Sequence, residues 1–233
     1  MRQVVLDTET TGLKVEENHR VIEIGCVELI NRKVTGSSYH QYINPQRAVE
    51  EGALAIHGLS NEFLINKPLF TEIAQEFMNF IKGAELIIHN AIFDLGFINK
   101  ELSLTYKKPH ELTEYCRVID TLVLARQLHV GQRNSLDALC KRYKIDNSQR
   151  DLHGALLDAH LLAQVYLAMT GGQGSLFDKL QMINSEKKAM TNSTTPIIQV
   201  RKLLTLKASQ EEICLHEKKL ASMLEKSKCL WHE

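Results

Sequence analysis

Val4-Val5-Leu6-Asp7-Thr8-Glu9-Thr10-Thr11-Gly12 is the stretch from which the fold follows. Gln3 to Leu6 has the apolar content of a strand entering a core, and it runs directly into two carboxylates separated by one residue. Side chains at i and i+2 of a strand share a face, so Asp7 and Glu9 present their oxygens together. Carboxylates that close raise one another's pKa unless a cation lies between them. Oxygen ligands on one face suit Mg²⁺ or Mn²⁺ over a thiol-seeking metal. Thr10, Thr11 and Gly12 end the strand in a turn where a ligand can approach the backbone. D-x-E alone is equally an ordinary strand end with solvated acids, so the remaining chain has to decide.

Moving outward, Arg20 to Ile30 alternates apolar and polar residues, Asn31-Arg32-Lys33 is a turn, and Ser37 to Ile43 is the returning strand. These form an antiparallel meander with the carboxylate strand. Residues 46–68 are irregular with short helical pieces. A helix follows over 69–82, with Phe70, Ile73, Ala74, Phe77, Phe80 and Ile81 at helical spacing and Gly83 as its stop. Short strands at Glu85 to Ile88 and at Val118-Ile119 alternate with helices at 91–102, near 121–128, from the Asn134-Ser135 cap to Tyr143, and up to Met169. That order predicts an α/β domain over 1–170: a mixed sheet, antiparallel meander plus parallel strands, flanked by helices.

With 233 residues, the chain accommodates that domain and an appendage. Residues 171–195 turn to Gly, Ser, Thr, Asn and Lys and are expected to be a flexible linker; 196–233 carry short amphipathic pieces, too few to bury a core and therefore expected to bind a partner. Net charge is zero, so no global basic field marks a nucleic-acid binder; residues 1–170 hold 18 Lys/Arg against 21 Asp/Glu, and residues 171–233 hold 10 against 7. Five scattered cysteines without a CxxC pair argue against a disulfide framework and a zinc site. With no signal-peptide pattern and no membrane-length apolar run, the expectation is a soluble cytoplasmic protein.

A third carboxylate, Asp94, follows the strand that delivers His89 and Asn90 to its C-terminal end, where ligands bind in open α/β sheets. By itself it reads equally as an acid at a helix N-terminus. A fourth, Asp158, follows His153 by five residues. Within one helix, five steps of about 100° would set the two about 140° apart. They converge if His153 lies in the loop before the helix, with Gly154 loosening the junction. A loop histidine suits a general base with a pKa near neutrality. Asp7, Glu9, Asp94 and Asp158 would then cage two divalent ions, ~3.5–4 Å apart in phosphodiester hydrolysis.

DTETTG, HNAIFD and HGALLD, in this order and with the histidine five residues before the last acid, resemble the three motifs of the DEDDh 3′–5′ exonucleases. The resemblance extends over HGLSNEFL at 57–64, RNSLDALCKRY at 133–143, LHGALLDAHLLAQVYLAMTGGQ at 152–173 and the closing Cys229-Leu230-Trp231. It implies an RNase H-like fold and 3′–5′ hydrolysis of DNA to nucleoside 5′-monophosphates, in a member that proofreads for a bacterial replicative polymerase. It further implies that Asp7, Glu9 and Asp158 hold the ion nearer the attacking water, that Asp7 bridges to the second and Asp94 assists it, and that His153 is the base. Thr10, His57, Asn90 and Phe93 fall where the family contacts the terminal nucleotide. Gln173-Gly174-Ser175-Leu176-Phe177 resembles peptides that dock on the sliding clamp through Gln173, Leu176 and Phe177, and the tail to Trp231 resembles a segment binding the polymerase alpha subunit. Whether a small accessory subunit also binds the core stays open. An exoribonuclease and a non-catalytic scaffold linking polymerase and clamp are the competing readings. The long tail argues against the first and the complete set of acids against the second.

Overall fold

The computed structural model describes residues 1–150, 152–171 and 208–224. The chain divides into two units, Met1–Leu176 and Phe177–Glu233. In the first, five strands, β1 (Arg2–Thr10), β2 (Val21–Ile30), β3 (Lys33–Tyr42), β4 (Glu85–Ile88) and β5 (Arg117–Asp120), form one sheet in the order β3-β2-β1-β4-β5. β1–β2 and β2–β3 pair antiparallel, while β1–β4 and β4–β5 pair parallel. This is the expected mixed sheet. The β2–β3 turn places Asn31 and Arg32 at φ 50° and 63°, two successive left-handed residues that match the twist of a tight hairpin. The returning strand therefore starts at Lys33 rather than at Ser37.

Among the described residues, seven α-helices accompany the sheet: α1 (Glu51–His57), α2 (Asn61–Leu64), α3 (Phe70–Ile81), α4 (Ala91–Tyr106), α5 (Thr121–Leu128), α6 (Leu136–Tyr143) and α7 (Ala155–Thr170). Strand alternation assigns them to faces. Val4 and Leu6 pack with Phe70, Phe77, Phe97 and Ile98 of α3 and α4. Val5 points the other way, joining Val27, Ala125, Leu139, Ala159 and Leu162 of β2, α5, α6 and α7. Burial of such side chains contributes roughly 1.5–3 kcal/mol each, so both faces are held by core of comparable kind. α4 runs one turn beyond the expected Leu102, ending at Tyr106, because Thr105 Oγ1 bonds back to the Glu101 carbonyl and Lys107 takes a left-handed φ of 54°.

The two halves of the sheet differ in length, and this opens the site. β2 pairs with β1 as far as Thr10, whereas β4 pairs only with Gln3–Val5. From Asp7 onward, β1 has no strand on its β4 side among the described residues. The gap is entered by the start of α4 and, from the other face, by the start of α7.

In the second unit, α8 (Gln210–Leu224) is capped by Ser209, whose Oγ accepts from Glu212 N at 3.3 Å while its N–H donates to Glu212 Oε2 at 2.8 Å. The rest of the expected tail, nearly all of the 171–195 linker, and Gln173, Leu176, Phe177, Cys229 and Trp231 lie outside the described residues.

Candidate active site

Alternation along β1 sends Asp7 and Glu9 to the α7 face and Thr8 to the α4 face. On the α7 face, Asp7 is opposite Gly25 of β2. A Cβ on Gly25 would lie 2.2 Å from the backbone of Ala155 and Leu156, so the missing side chain is what admits the first turn of α7 against the strand. That close approach carries Asp158 to Glu9. Oxygens of Glu9 and Asp158 and a ring nitrogen of His153 lie within 4.8 Å of one another. On the α4 face, Thr8 Oγ1 donates to Asp94 Oδ1 at 2.6 Å. Asp94 thus reaches the same strand end from across the sheet.

All four acids and His153 line one cavity of about 520 Å³, together with Thr10, His57, Asn90, Phe93 and Arg150. His153 lies in the loop before α7 and Asp158 in its first turn, as the helical-wheel argument requires. Gly154 is not the loosened junction expected: at φ −156° it is extended, a conformation any residue adopts. Gly12, expected to let a ligand near the backbone, does line the cavity, and its side-chain space is filled by the His19 ring, 2.4 Å from where a Cβ would sit. His19 is itself held by Thr11 Oγ1 at 3.0 Å and Glu50 at 3.1 Å.

The electrostatics are those of a crowded, desolvated acid cluster. Burial, then the charges of Asp94, Glu9 and Asp158, hold Asp7 well above the usual carboxylate range. Burial, then Asp158, Glu23 and Asp94, push Glu9 up to about 8. Burial raises Asp94 to about 7 against the opposing Thr8 hydrogen bond. Side chains that crowded with like charge are stable as anions only beside a cation, and an all-oxygen donor set fits a hard divalent one.

The residues expected to contact the terminal nucleotide are differently placed. Leu59 N donates to His57 Nδ1 at 3.0 Å, which puts the ring proton on Nε2; that atom is buried without a well-formed hydrogen bond among the described residues, with the Thr10 backbone beside the ring. Phe93 is half-buried with its ring 4.9 Å from that of Phe97. Asn90, exposed at φ 65°, starts α4. Thr10 Oγ1 donates to the Gly12 carbonyl at 2.7 Å, so its hydroxyl shapes the turn.

Two residues the sequence argument passed over organise the site. Asp120 accepts from Asn90 N (3.3 Å), Ala91 N (3.0 Å), Leu122 N (2.8 Å) and Val123 N (3.2 Å), fixing the starts of both α4 and α5. Its place just before an apolar helical run was a legible cap signal for α5, but not for α4. Arg150 grips Asp158 with Nε to Oδ1 at 2.5 Å and Nη2 to Oδ2 at 2.7 Å, and also reaches His153 and Asp137. An arginine in a polar loop carries no sequence signal of this kind.

The family described as Exonuclease (RNase_T) matches residues 4–166. DNA polymerase III subunit epsilon of Escherichia coli strain K12 is 48% identical over 99% of this chain and 97% of its own length. The same-named subunit of Rickettsia typhi is 48% identical over 96% and 97%. Among solved structures, Exonuclease X in complex with 5′ overhanging duplex DNA aligns with TM-score 0.57 at 25% identity, covering 78% of this chain and 98% of that one. Escherichia coli Exonuclease I with a dT13 oligonucleotide, at 18% identity and TM-score 0.63, covers 81% and 45% and shares the fold. The acid-lined cleft at the end of β1 and these matches agree: the chain belongs to the exonuclease family, whose members use divalent metal, and it closely resembles the epsilon subunits of DNA polymerase III.

Proposed function

We propose that this chain is the proofreading 3′–5′ exodeoxyribonuclease of a bacterial replicative polymerase. The observation that carries the proposal is the convergence of Asp7, Glu9, Asp94, Asp158 and His153 on one cavity from three separate elements and a loop. The near-full-length likeness to epsilon subunits selects DNA proofreading over RNA trimming.

Asp7, Glu9 and Asp158, with Asp94 across the strand end, would hold two divalent ions, Mg²⁺ or Mn²⁺. Such ions, when bound, neutralise charge at the attacking and leaving oxygens. The chain's own residues do the rest. His57 offers its buried Nε2–H to an oxygen of the terminal nucleotide. Phe93 offers a ring face to a base without regard to sequence, and Asn90 is an exposed polar group at the rim. His153 takes the proton of the attacking water; burial, then the Arg150 charge, lowers its pKa, so the imidazole is neutral and basic at physiological pH. A cleft that takes a single strand favours frayed ends, and mismatched termini fray at lower cost.

Residues 171–195 are proposed as a linker whose Gln173, Leu176 and Phe177 dock on the sliding clamp, and 196–233 as the segment binding the polymerase alpha subunit. Tethering raises effective concentration at the primer end, which suits a domain with no net positive charge. The test is digestion of matched, 3′-mismatched and RNA-tipped primers with and without chelator. Faster release from the mismatched DNA end, abolished by chelator, is expected. Equal rates on all three would overturn the proofreading assignment.

A further inference from the structure

Arg150 places a cation of the protein's own inside the acid-lined cavity. Its side chain is 6% exposed and makes a two-pronged ion pair with Asp158, itself 4% exposed. Its Nη1 also bonds Asp137 Oδ1 at 2.7 Å, on the solvent side, where Asp137 is 59% exposed. Nη2 meets His153 Nδ1 at 2.9 Å. A guanidinium has only donors, so Nδ1 accepts and the proton of the neutral ring sits on Nε2. While this contact lasts, the one basic nitrogen of His153 is occupied. A single guanidinium therefore covers both the acid that would hold metal and the base that would take a proton.

We propose that Arg150 is a positioning residue that closes on Asp158 and His153 when no divalent ion is bound, and that the arriving ion displaces it. The inference rests on the site binding a divalent cation. The physical ground is competition. Asp158 presents two oxygens, and both are taken by the guanidinium. A divalent ion brings twice the charge of an arginine to the same carboxylates and can be held directly by Asp7 and Glu9 as well, whereas Arg150 forms ion pairs, among the described residues, with Asp158 and Asp137 alone. Asp137 gives the released arginine a place to go: it lies at the start of α6, outside the acid cluster, and its bond to Nη1 can survive loss of the other two. Arg150 lines the cavity to which the proposed function assigns the DNA end, so the freed guanidinium would face an incoming phosphate, for which its planar fork is suited.

The sign of one measurement separates this role from a merely structural brace. Mn²⁺ binding to the full chain is measured directly, by loss of the free-ion magnetic resonance signal at pH 7.5, for wild type, Arg150→Gln and Arg150→Lys. Competition predicts that Arg150→Gln binds Mn²⁺ on the order of tenfold more tightly, because a unit positive charge in contact with a ligand has been removed. Arg150→Lys, which keeps the charge but not the fork, should fall between. Thermal melting with and without Mn²⁺ guards against misfolding: Arg150→Gln should be less stable than wild type in chelator and gain more from the ion. Weaker or unchanged Mn²⁺ affinity in a folded Arg150→Gln protein overturns the inference and leaves the nuclease assignment standing. Absence of Mn²⁺ binding in wild type and variants alike overturns both.

Discussion

Replacing Glu9 by Gln should stabilise the metal-free protein while disabling it as a nuclease. Glu9 is 9% exposed and its carboxyl is pushed up to about 8 from an ordinary 4.5, by burial first and then by Asp158, Glu23 and Asp94. Because the folded value exceeds the unfolded one, the folded state holds a proton that the unfolded chain releases. The stability contributed by this group is full below about 4.5 and is lost as pH rises toward about 8. At pH 7 the loss reaches about 3 kcal/mol, at 1.36 kcal/mol per pH unit. An amide needs no proton, but an incompletely bonded buried amide costs about 1–2 kcal/mol. The net gain is then about 1–2 kcal/mol, or roughly 3–6 °C for a domain of this size. The assay is thermal melting in chelator at pH 7.5 and again at pH 4.5, where the gain should vanish. In saturating Mg²⁺ the order should reverse, because the variant has lost a ligand. An unchanged or lower melting temperature in chelator at pH 7.5, or a gain that persists at pH 4.5, would refute the picture of a repelling acid cluster.

Gly25→Ala should destabilise the fold by about 3 kcal/mol or more, since its Cβ would meet the α7 backbone at 2.2 Å; a denaturant midpoint equal to wild type would show that α7 can retreat freely. His153→Gln should lower kcat by roughly 10²–10⁴ while leaving Mn²⁺ affinity within a few-fold, and wild-type turnover would remove His153 as the base. Deleting residues 196–233 should preserve primer digestion and abolish co-elution with the polymerase; co-elution of the truncated chain would refute the tail assignment. Changing Leu176 and Phe177 to Ala should weaken clamp binding, and unchanged affinity would reduce that segment to linker.

Local pattern determined a great deal here. The alternation around Asp7 and Glu9, the spacing of Phe70 to Ile81 and the Ser135 cap are set by neighbours along the chain, so they are legible in it. The placement of His153 before a helix and Asp158 within it follows from helical geometry once the two are required to share a site, because residues five apart inside one helix do not converge. The family motifs then named the acids together. What only the tertiary structure decided are the relations between distant segments. Asp94 approaches from the α4 face through Thr8, because β4 stops short and leaves the end of β1 open. Gly25 matters because α7 presses on it, whereas Gly12 yields to the His19 ring and Gly154 is ordinary backbone. Arg150 joins Asp137, His153 and Asp158 across two helices and a loop. Such contacts depend on where whole elements dock. Docking is fixed by the packing of two cores at once, so no window of sequence contains it.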